Sequence, residues 1–166
     1  MYKNDLSPKA KAICGENVPV SGNKPFWETK SLEEMTKAEW ESLCDGCGRC
    51  CLYILHNEET GDVFETDVGC RLFDAKKRRC IDYENRATRV PDCVQLTPQN
   101  AKSLTWMPKT CAYRRLANGK SLPKWHPLRT GTQDSVVKAG VAVSPDLIPE
   151  DEIDDDLLED RITKTR

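Results

Sequence analysis

The sequence CDGCGRCC at residues 44–51 places four thiols within eight positions. A thiolate is a soft ligand suited to zinc, copper(I) and iron–sulfur clusters, and a Cys-x-x-Cys pair brings two sulfurs to one metal while the backbone between them turns. Gly46 and Gly48 permit that turn. The four cysteines are Cys44, Cys47, Cys50 and Cys51. The first three follow the Cys-x2-Cys-x2-Cys spacing found in ferredoxins, and the fourth is left to reach a second site.

Four more cysteines follow along the chain, at Cys70, Cys80, Cys93 and Cys111. The eight candidate ligands suffice for two four-coordinate sites, or for one cluster with spare thiols. Residues 70–93 also carry seven basic against four acidic side chains, and nearby cations favour the ligating thiolate form. Cys14, the ninth cysteine, has no thiol near it in the sequence, so we do not predict it to be a ligand.

The compartment decides whether these thiols are reduced. The N-terminal sequence has no apolar run typical of a signal peptide, and no segment approaches the ~20 apolar residues of a membrane span. We therefore expect a cytoplasmic protein with no membrane contact, in which thiols stay reduced and bind metal rather than form disulfides. The odd number of cysteines agrees, as does the adjacency of Cys50 and Cys51, which makes them awkward partners for a disulfide.

Other chemistries have little support in the sequence. It contains no Gly-rich phosphate loop, no His-Glu-x-x-His and no Gly-x-Ser-x-Gly. His56 is predicted to be a surface strand residue and His126 a packed structural one, so no catalytic residue is identified. The basic run at residues 76–79 is the only sequence feature typical of nucleic-acid binding. The net charge of −2 and an acidic C-terminal segment argue against that partner.

The elements that must position the thiols are short. Only 38% of the residues are hydrophobic and 31% are charged, so an ordinary apolar core is hard to assemble, and metal binding is expected to help. Ser31 and Glu34 form a capping-box pattern that predicts a helix ending at Leu43, directly before the cysteines. We predict a small, single α+β domain, cysteine-rich and stabilised by metal, with short helices and β-hairpins.

Two hairpins are predicted after the cysteine loop. Residues 52–68 read as two strands joined by a turn around Thr60-Gly61-Asp62. A second, tighter hairpin runs from Cys70 to Cys80 with the basic residues 76–79 at its tip. A hairpin brings its two ends together, so these two thiols should lie side by side, as a shared metal requires.

The chain divides into three parts by composition. Residues 1–24 are polar and are predicted to be an N-terminal arm, residues 25–145 the metal-binding domain, and residues 146–166 an acidic C-terminal tail with eight carboxylates between positions 150 and 160. We expect the tail to be solvated and flexible. Its apolar residues fall at helix-like spacing, so a short amphipathic helix is the alternative; they are Ile153, Leu157, Leu158 and Ile162.

These motifs together carry a family resemblance. FWETKSLEEMTKAEWESLCDGCGRCCL, followed in order by CRLFD, CIDYENR, PDC, TWMPKTCAYR and WHPL, resembles the bacterial YcgN family, of the UPF0260 type, within the broader YkgJ-like group with a CxxCxxCC zinc- or iron-chelating domain. The resemblance spans about residues 26–143. It implies metal ligation by Cys44, Cys47, Cys50, Cys51, Cys70, Cys80 and Cys93. The related flagellin lysine methylases carry a similar cluster, which keeps a redox or transferase role open.

The function we expect is therefore metal binding, with zinc or iron as the cofactor, through one or two thiolate sites and with an unidentified protein as partner. The alternative is an iron–sulfur protein that transfers electrons or supports a modification reaction. Thiolate spacing alone does not choose between the two metals.

Overall fold

A computed structural model of the protein describes residues 24–166, so Cys14 and almost all of the predicted N-terminal arm lie outside the described residues. The helices are α1 Phe26–Thr29, α2 Lys37–Ser42, α3 Arg86–Arg89, α4 Ala112–Ala117, α5 Pro127–Thr130 and α6 Asp134–Lys138. The strands are β1 Leu52–His56, β2 Val63–Gly69, β3 Phe73–Asp74, β4 Arg79–Cys80, β5 Ile148–Pro149 and β6 Ile162–Thr165. The predicted α+β class is confirmed. Across residues 24–166, every helix is too short or too polar to cross a membrane.

A four-stranded sheet is built around β2, which pairs antiparallel with β1 and β6 and parallel with β5. The predicted hairpin of β1 and β2 is confirmed, and its turn is held by the Asn57 side-chain oxygen, which accepts the backbone N–H groups of Glu59 and Thr60 at 2.9 and 3.0 Å. β1 begins directly after Cys51 and β2 ends directly before Cys70. The ladder therefore brings these two cysteines together.

The second predicted hairpin also forms, but it is shorter than predicted: its ladder begins at Phe73, so Cys80 lies opposite Phe73 and not opposite Cys70. β3 pairs antiparallel with β4, with Phe73 opposite Cys80. Its tip differs slightly from the prediction, because Arg79 belongs to β4 and Arg78 takes the left-handed turn conformation, with φ 53°. A two-residue ladder on each side is enough to return the chain to the neighbourhood of Cys70.

The helix predicted from Ser31 to Leu43 is split in two. The Ser31 N–H donates to the Glu34 side chain at 2.7 Å and starts a single 3-10 turn, Leu32–Glu34. A second capping box then starts α2, in which the Thr36 N–H donates to the Glu39 side chain at 2.8 Å and the Glu39 N–H donates to the Thr36 hydroxyl at 3.2 Å. The second cap interrupts the helix because its N-cap residue is extended, with ψ 161°.

The apolar core is small and packs α2 against α4. It consists of Leu43, Ala101, Met107, Cys111, Ala112, Tyr113 and Leu122. The rings of Trp40 and Tyr113 lie 4.6 Å apart, and the Tyr113 hydroxyl donates to the Trp40 carbonyl at 2.9 Å. This core fixes the C-terminal end of α2, where the cysteine loop begins.

The acidic segment differs from the expectation of a solvated tail. β6 adds to the sheet beside β2, Leu158 is buried, and Arg161 pairs with Asp67 of β2. The acidic residues occupy three 3-10 turns, Glu150–Glu152, Asp155–Leu157 and Glu159–Arg161, rather than the alternative amphipathic helix. The segment packs because β6 pairs with the free edge of β2 and Leu158 is buried, while most of the carboxylates stay in solvent.

Candidate metal centre

His126 anchors the start of the cysteine loop. It is fully buried, its Nε2 lies 3.1 Å from the Leu43 carbonyl oxygen, and its Nδ1 accepts the Leu128 N–H at 3.1 Å. Since Nδ1 is an acceptor, Nε2 carries the proton and donates to Leu43. Burial lowers the pKa of His126 and keeps the ring neutral. The predicted packed role of His126 is confirmed, and it holds the residue immediately before Cys44.

The loop itself turns at its two glycines. Gly46 and Gly48 take φ values of 68° and 78°, the left-handed region that favours glycine. Gly48 is also crowded, since a Cβ there would lie 2.4 Å from the Phe73 ring and 2.8 Å from Val143. The Cys47 carbonyl accepts the Val143 N–H at 2.8 Å, which ties the loop to a remote segment.

Cys44, Cys47 and Cys50 share the cysteine loop, and Cys111 packs in the same buried core as Leu43, the residue directly before Cys44; we call these four residues the first thiol cluster. Burial raises the pKa of Cys44 to about 12 and that of Cys111 to about 11, and in both cases the Cys50 thiol adds to the effect. Burial raises the pKa of Cys47 as well, followed by Asp45 and Cys50. Cys44 and Cys50 nevertheless keep solvent-exposed surface. The first thiol cluster therefore combines two buried cysteines, Cys47 and Cys111, with two that reach the surface, Cys44 and Cys50.

We call Cys51, Cys70, Cys80 and Cys93 the second thiol cluster. The backbone connects Cys51 to Cys70 and Cys70 to Phe73, which lies opposite Cys80, whereas the Cys93 thiol interacts with Cys80 and also with Cys50 of the first cluster. The Cys70 N–H donates to the Cys51 carbonyl at 2.8 Å. Burial raises the pKa of Cys70, and the thiols of Cys93 and Cys80 contribute. All four residues are half-buried. The two clusters adjoin, because the interaction of Cys50 with the neighbouring Cys51 thiol is the largest cause of its raised pKa.

The geometry allows metal binding only after side-chain rearrangement. All eight cysteines within residues 24–166 are free thiols, and no three His, Cys, Asp or Glu side chains in that range form a ready-made metal site. A cysteine side chain has one rotatable bond, χ1, with staggered rotamers. Bringing several sulfurs around one metal therefore requires some of these side chains to change rotamer. The donor set is two groups of four thiols, and thiolates are suitable ligands for zinc and for iron.

The expected effect of nearby cations is seen at one thiol. Of the seven basic side chains in residues 70–93, Arg86 opposes the rise in the pKa of Cys93 that burial causes. The sequence did not predict a buried set of ion pairs at β2. Arg49 and Arg166 both pair with the Glu65 carboxylate, and the Arg166 Nε lies 2.7 Å from its Oε1. Two guanidinium groups share one carboxylate, and the Arg166 Nη2 also donates to the Arg49 carbonyl at 2.7 Å.

Comparisons with known proteins agree with this site. A family model, CxxCxxCC, described as a "putative zinc- or iron-chelating domain", matches residues 43–112, a range that contains all eight cysteines of the two clusters. A UPF0260 protein of Rhizorhabdus wittichii is 56% identical over 82% of this chain and 93% of its own length. UPF0260 proteins of Parvibaculum lavamentivorans and Mesorhizobium japonicum are 55% and 58% identical, over 86% and 72% of this chain and 94% and 80% of their own lengths. No solved structure matches the chain. The identity to these relatives, over most of both chains, shows that the chain belongs to the UPF0260 family.

Proposed function

We propose that the protein binds zinc or iron through the first and second thiol clusters, and that the bound metal holds its fold together. The observation that carries the proposal is that the fold brings eight free cysteines, spread over residues 44–111, to the cysteine loop and the segments packed beside it. Four thiolates are the usual complement for a structural zinc ion and for an iron–sulfur cluster. The family description of residues 43–112 supports the same chemistry.

The stretch between Cys80 and Cys111 has little regular secondary structure, and Ala101 and Met107 are its only residues in the buried core. Between Cys80 and Cys111 the chain has a single four-residue helix, α3, and no strand. The thiols of Cys93 and Cys111 tie this stretch to the cysteine loop when they share a metal with its sulfurs. Metal binding then supplies folding free energy that the small core does not provide.

The high pKa values give the proposal a measurable consequence. Burial raises the pKa of Cys44, Cys47 and Cys111, so these side chains are protonated thiols at neutral pH when no metal is bound. Ligation requires the thiolate, and each sulfur that binds must release its proton. Loading of zinc in a weakly buffered solution should therefore acidify it, by several protons per ion.

The decisive experiment is elemental analysis of protein purified without oxygen or chelator, with thiol titration and visible spectra of the same sample. We expect zinc or iron at one or more equivalents per chain, lost in Cys47→Ser/Cys111→Ser for the first cluster and in Cys70→Ser/Cys93→Ser for the second. Cys14→Ser is the matched control, because no thiol is near it in the sequence. Compact wild-type protein with eight or more titratable thiols and no transition metal would refute the proposal.

An iron–sulfur cluster is the second candidate for the first site. It is favoured by the Cys-x2-Cys-x2-Cys spacing of Cys44, Cys47 and Cys50 together with a remote fourth thiol, Cys111. Such a cluster would supply one-electron redox chemistry, and the exposure of Cys44 and Cys50 would give electrons a short path to a partner protein. Visible absorption, acid-labile sulfide and electron paramagnetic resonance of the oxygen-free protein separate it from zinc.

A further inference from the structure

Asp45 is a buried carboxylate with one oxygen unaccounted for. The residue is 5% exposed, although it lies in a loop between Cys44 and Gly46. Its Oδ1 accepts the Cys47 N–H at 3.0 Å, which helps to form the turn. Its Oδ2 is buried and has no hydrogen-bond partner among residues 24–166. An unsatisfied oxygen of this kind is costly, because burial removes the water that would otherwise solvate it.

No basic side chain compensates for this carboxylate. The ion pairs found within residues 24–166 all involve other acidic residues. The nearby His126 is neutral, since burial lowers its pKa and outweighs the opposing effect of Asp45. The free oxygen therefore lacks both a hydrogen-bond donor and a cation in the described part of the chain.

The surroundings of Asp45 are the first thiol cluster. Asp45 lies between Cys44 and Cys47 in the cysteine loop, and the hydrogen bond from the Cys47 N–H to its Oδ1 holds the carboxylate inside the turn that carries these thiols. Its buried, unpartnered Oδ2 therefore lies within the loop that supplies three of the four thiols of the first cluster. Carboxylate oxygen is an accepted ligand of zinc and of iron in proteins.

We propose that the Oδ2 atom of Asp45 is an oxygen ligand of the metal held by the first thiol cluster. This inference rests on the proposed function and assigns a ligand outside the cysteines. The bound cation satisfies the orphan oxygen and compensates its charge, while Oδ1 keeps its hydrogen bond to the Cys47 backbone. Oδ2 takes one of the four positions around the metal, and three of the four thiolates take the others. The first site then has mixed sulfur and oxygen coordination, whereas the second is bound by sulfur alone.

The test compares Asp45→Asn with wild type in the full-length protein loaded with zinc alone. Asparagine keeps an oxygen for the Cys47 N–H and keeps the side-chain shape, but its neutral amide is a poor metal ligand. We expect zinc affinity at one site to fall at least tenfold against a competing chelator, while the second site, an internal control, is unchanged. X-ray absorption should show oxygen scattering at about 2.0–2.2 Å in wild type, the range for carboxylate ligands of zinc, and its loss in the variant. Asp156→Asn, at an exposed position, is the matched control.

The outcomes separate this inference from the metal proposal. Wild-type protein without metal overturns both. Metal-loaded wild type with purely sulfur scattering, or an Asp45→Asn protein with unchanged affinity at both sites, overturns the Asp45 assignment alone. A weaker but spectroscopically identical variant would mean that Asp45 acts only through its charge, which also overturns it. If Asp45→Asn does not fold, Asp45→Cys gives the answer: it should retain zinc and replace the oxygen scattering by sulfur.

Discussion

Replacing Gly48 by alanine should damage the protein more than any comparable glycine substitution in the described chain. Gly48 lies within the cysteine loop at φ 78°, and a Cβ there would lie 2.4 and 2.8 Å from two atoms of the Phe73 ring and 2.8 Å from Val143 Cγ2. Real Cβ contacts do not occur at such distances, so the ring must move. Phe73 is paired with Cys80 in the β3–β4 hairpin, and its displacement disturbs the second thiol cluster as well.

The expected cost has two parts. A residue other than glycine in the left-handed region costs about 1–2 kcal/mol. Inserting a methyl group into a filled space costs about 1–3 kcal/mol more. The sum of about 2–5 kcal/mol is a large share of the 5–15 kcal/mol by which domains of this size are typically stable. The control is Gly61→Ala, at φ 74° with no atom within 4 Å of the added Cβ, which should lose only the first part.

The assay is urea unfolding of both variants and wild type, each with saturating zinc and again with chelator, followed by circular dichroism. We expect Gly48→Ala to lose at least about 1 kcal/mol more than Gly61→Ala in both conditions, and to retain less metal after dialysis. Equal losses in the two variants would show that the Phe73 ring does not fill the space beside Gly48, and the loop geometry argued above would be wrong.

Three further predictions concern the support of the loop. His126→Leu should lose about 1–3 kcal/mol of unfolding free energy because the Leu43 carbonyl stays buried without its donor, and His126→Gln, which has an amide donor, should recover part of it in urea unfolding. In the folded chain, burial lowers the pKa of His126, whereas the unfolded chain binds a proton near pH 6.5. The free energy of unfolding should therefore be highest above that pH and decrease below it, by at most about 1.4 kcal/mol per pH unit. This pH dependence should vanish in His126→Gln. Tyr113→Phe removes the hydrogen bond to the Trp40 carbonyl but keeps the ring contact, so thermal unfolding should report a loss of about 1 kcal/mol.

The features that sequence reasoning predicted are local. The β1–β2 hairpin follows from strand patterns around Thr60-Gly61-Asp62, and the turn of the cysteine loop follows from Gly46 and Gly48, because these residues fix the backbone by their own conformational preferences. The break between Leu32–Glu34 and α2 also has a local signal, because Thr36 and Glu39 form a second capping-box pattern immediately before α2.

The features that sequence reasoning missed depend on contacts between distant parts of the chain. Nothing local to Cys111 predicts that it joins the first thiol cluster, because the packing of α4 against α2 brings it there. The acidic segment contains no pattern that reveals its pairing with β2, nor the burial of Arg166 against Glu65, about a hundred positions away. The eight cysteines themselves were identified as ligands from spacing and resemblance, and that assignment stays a prediction.

The adjacency of Cys50 and Cys51 has a consequence for how the protein fills with metal. The two residues are joined by one planar peptide unit, and in the proposed assignment their sulfurs bind different metal ions. A metal ion bound by one cluster would order the backbone that Cys50 and Cys51 share. A second ion, bound by the other cluster, would then lose less conformational entropy on binding. Uptake should therefore be cooperative, and a sample given half the metal it can hold should contain mainly saturated and empty molecules, with few carrying a single ion.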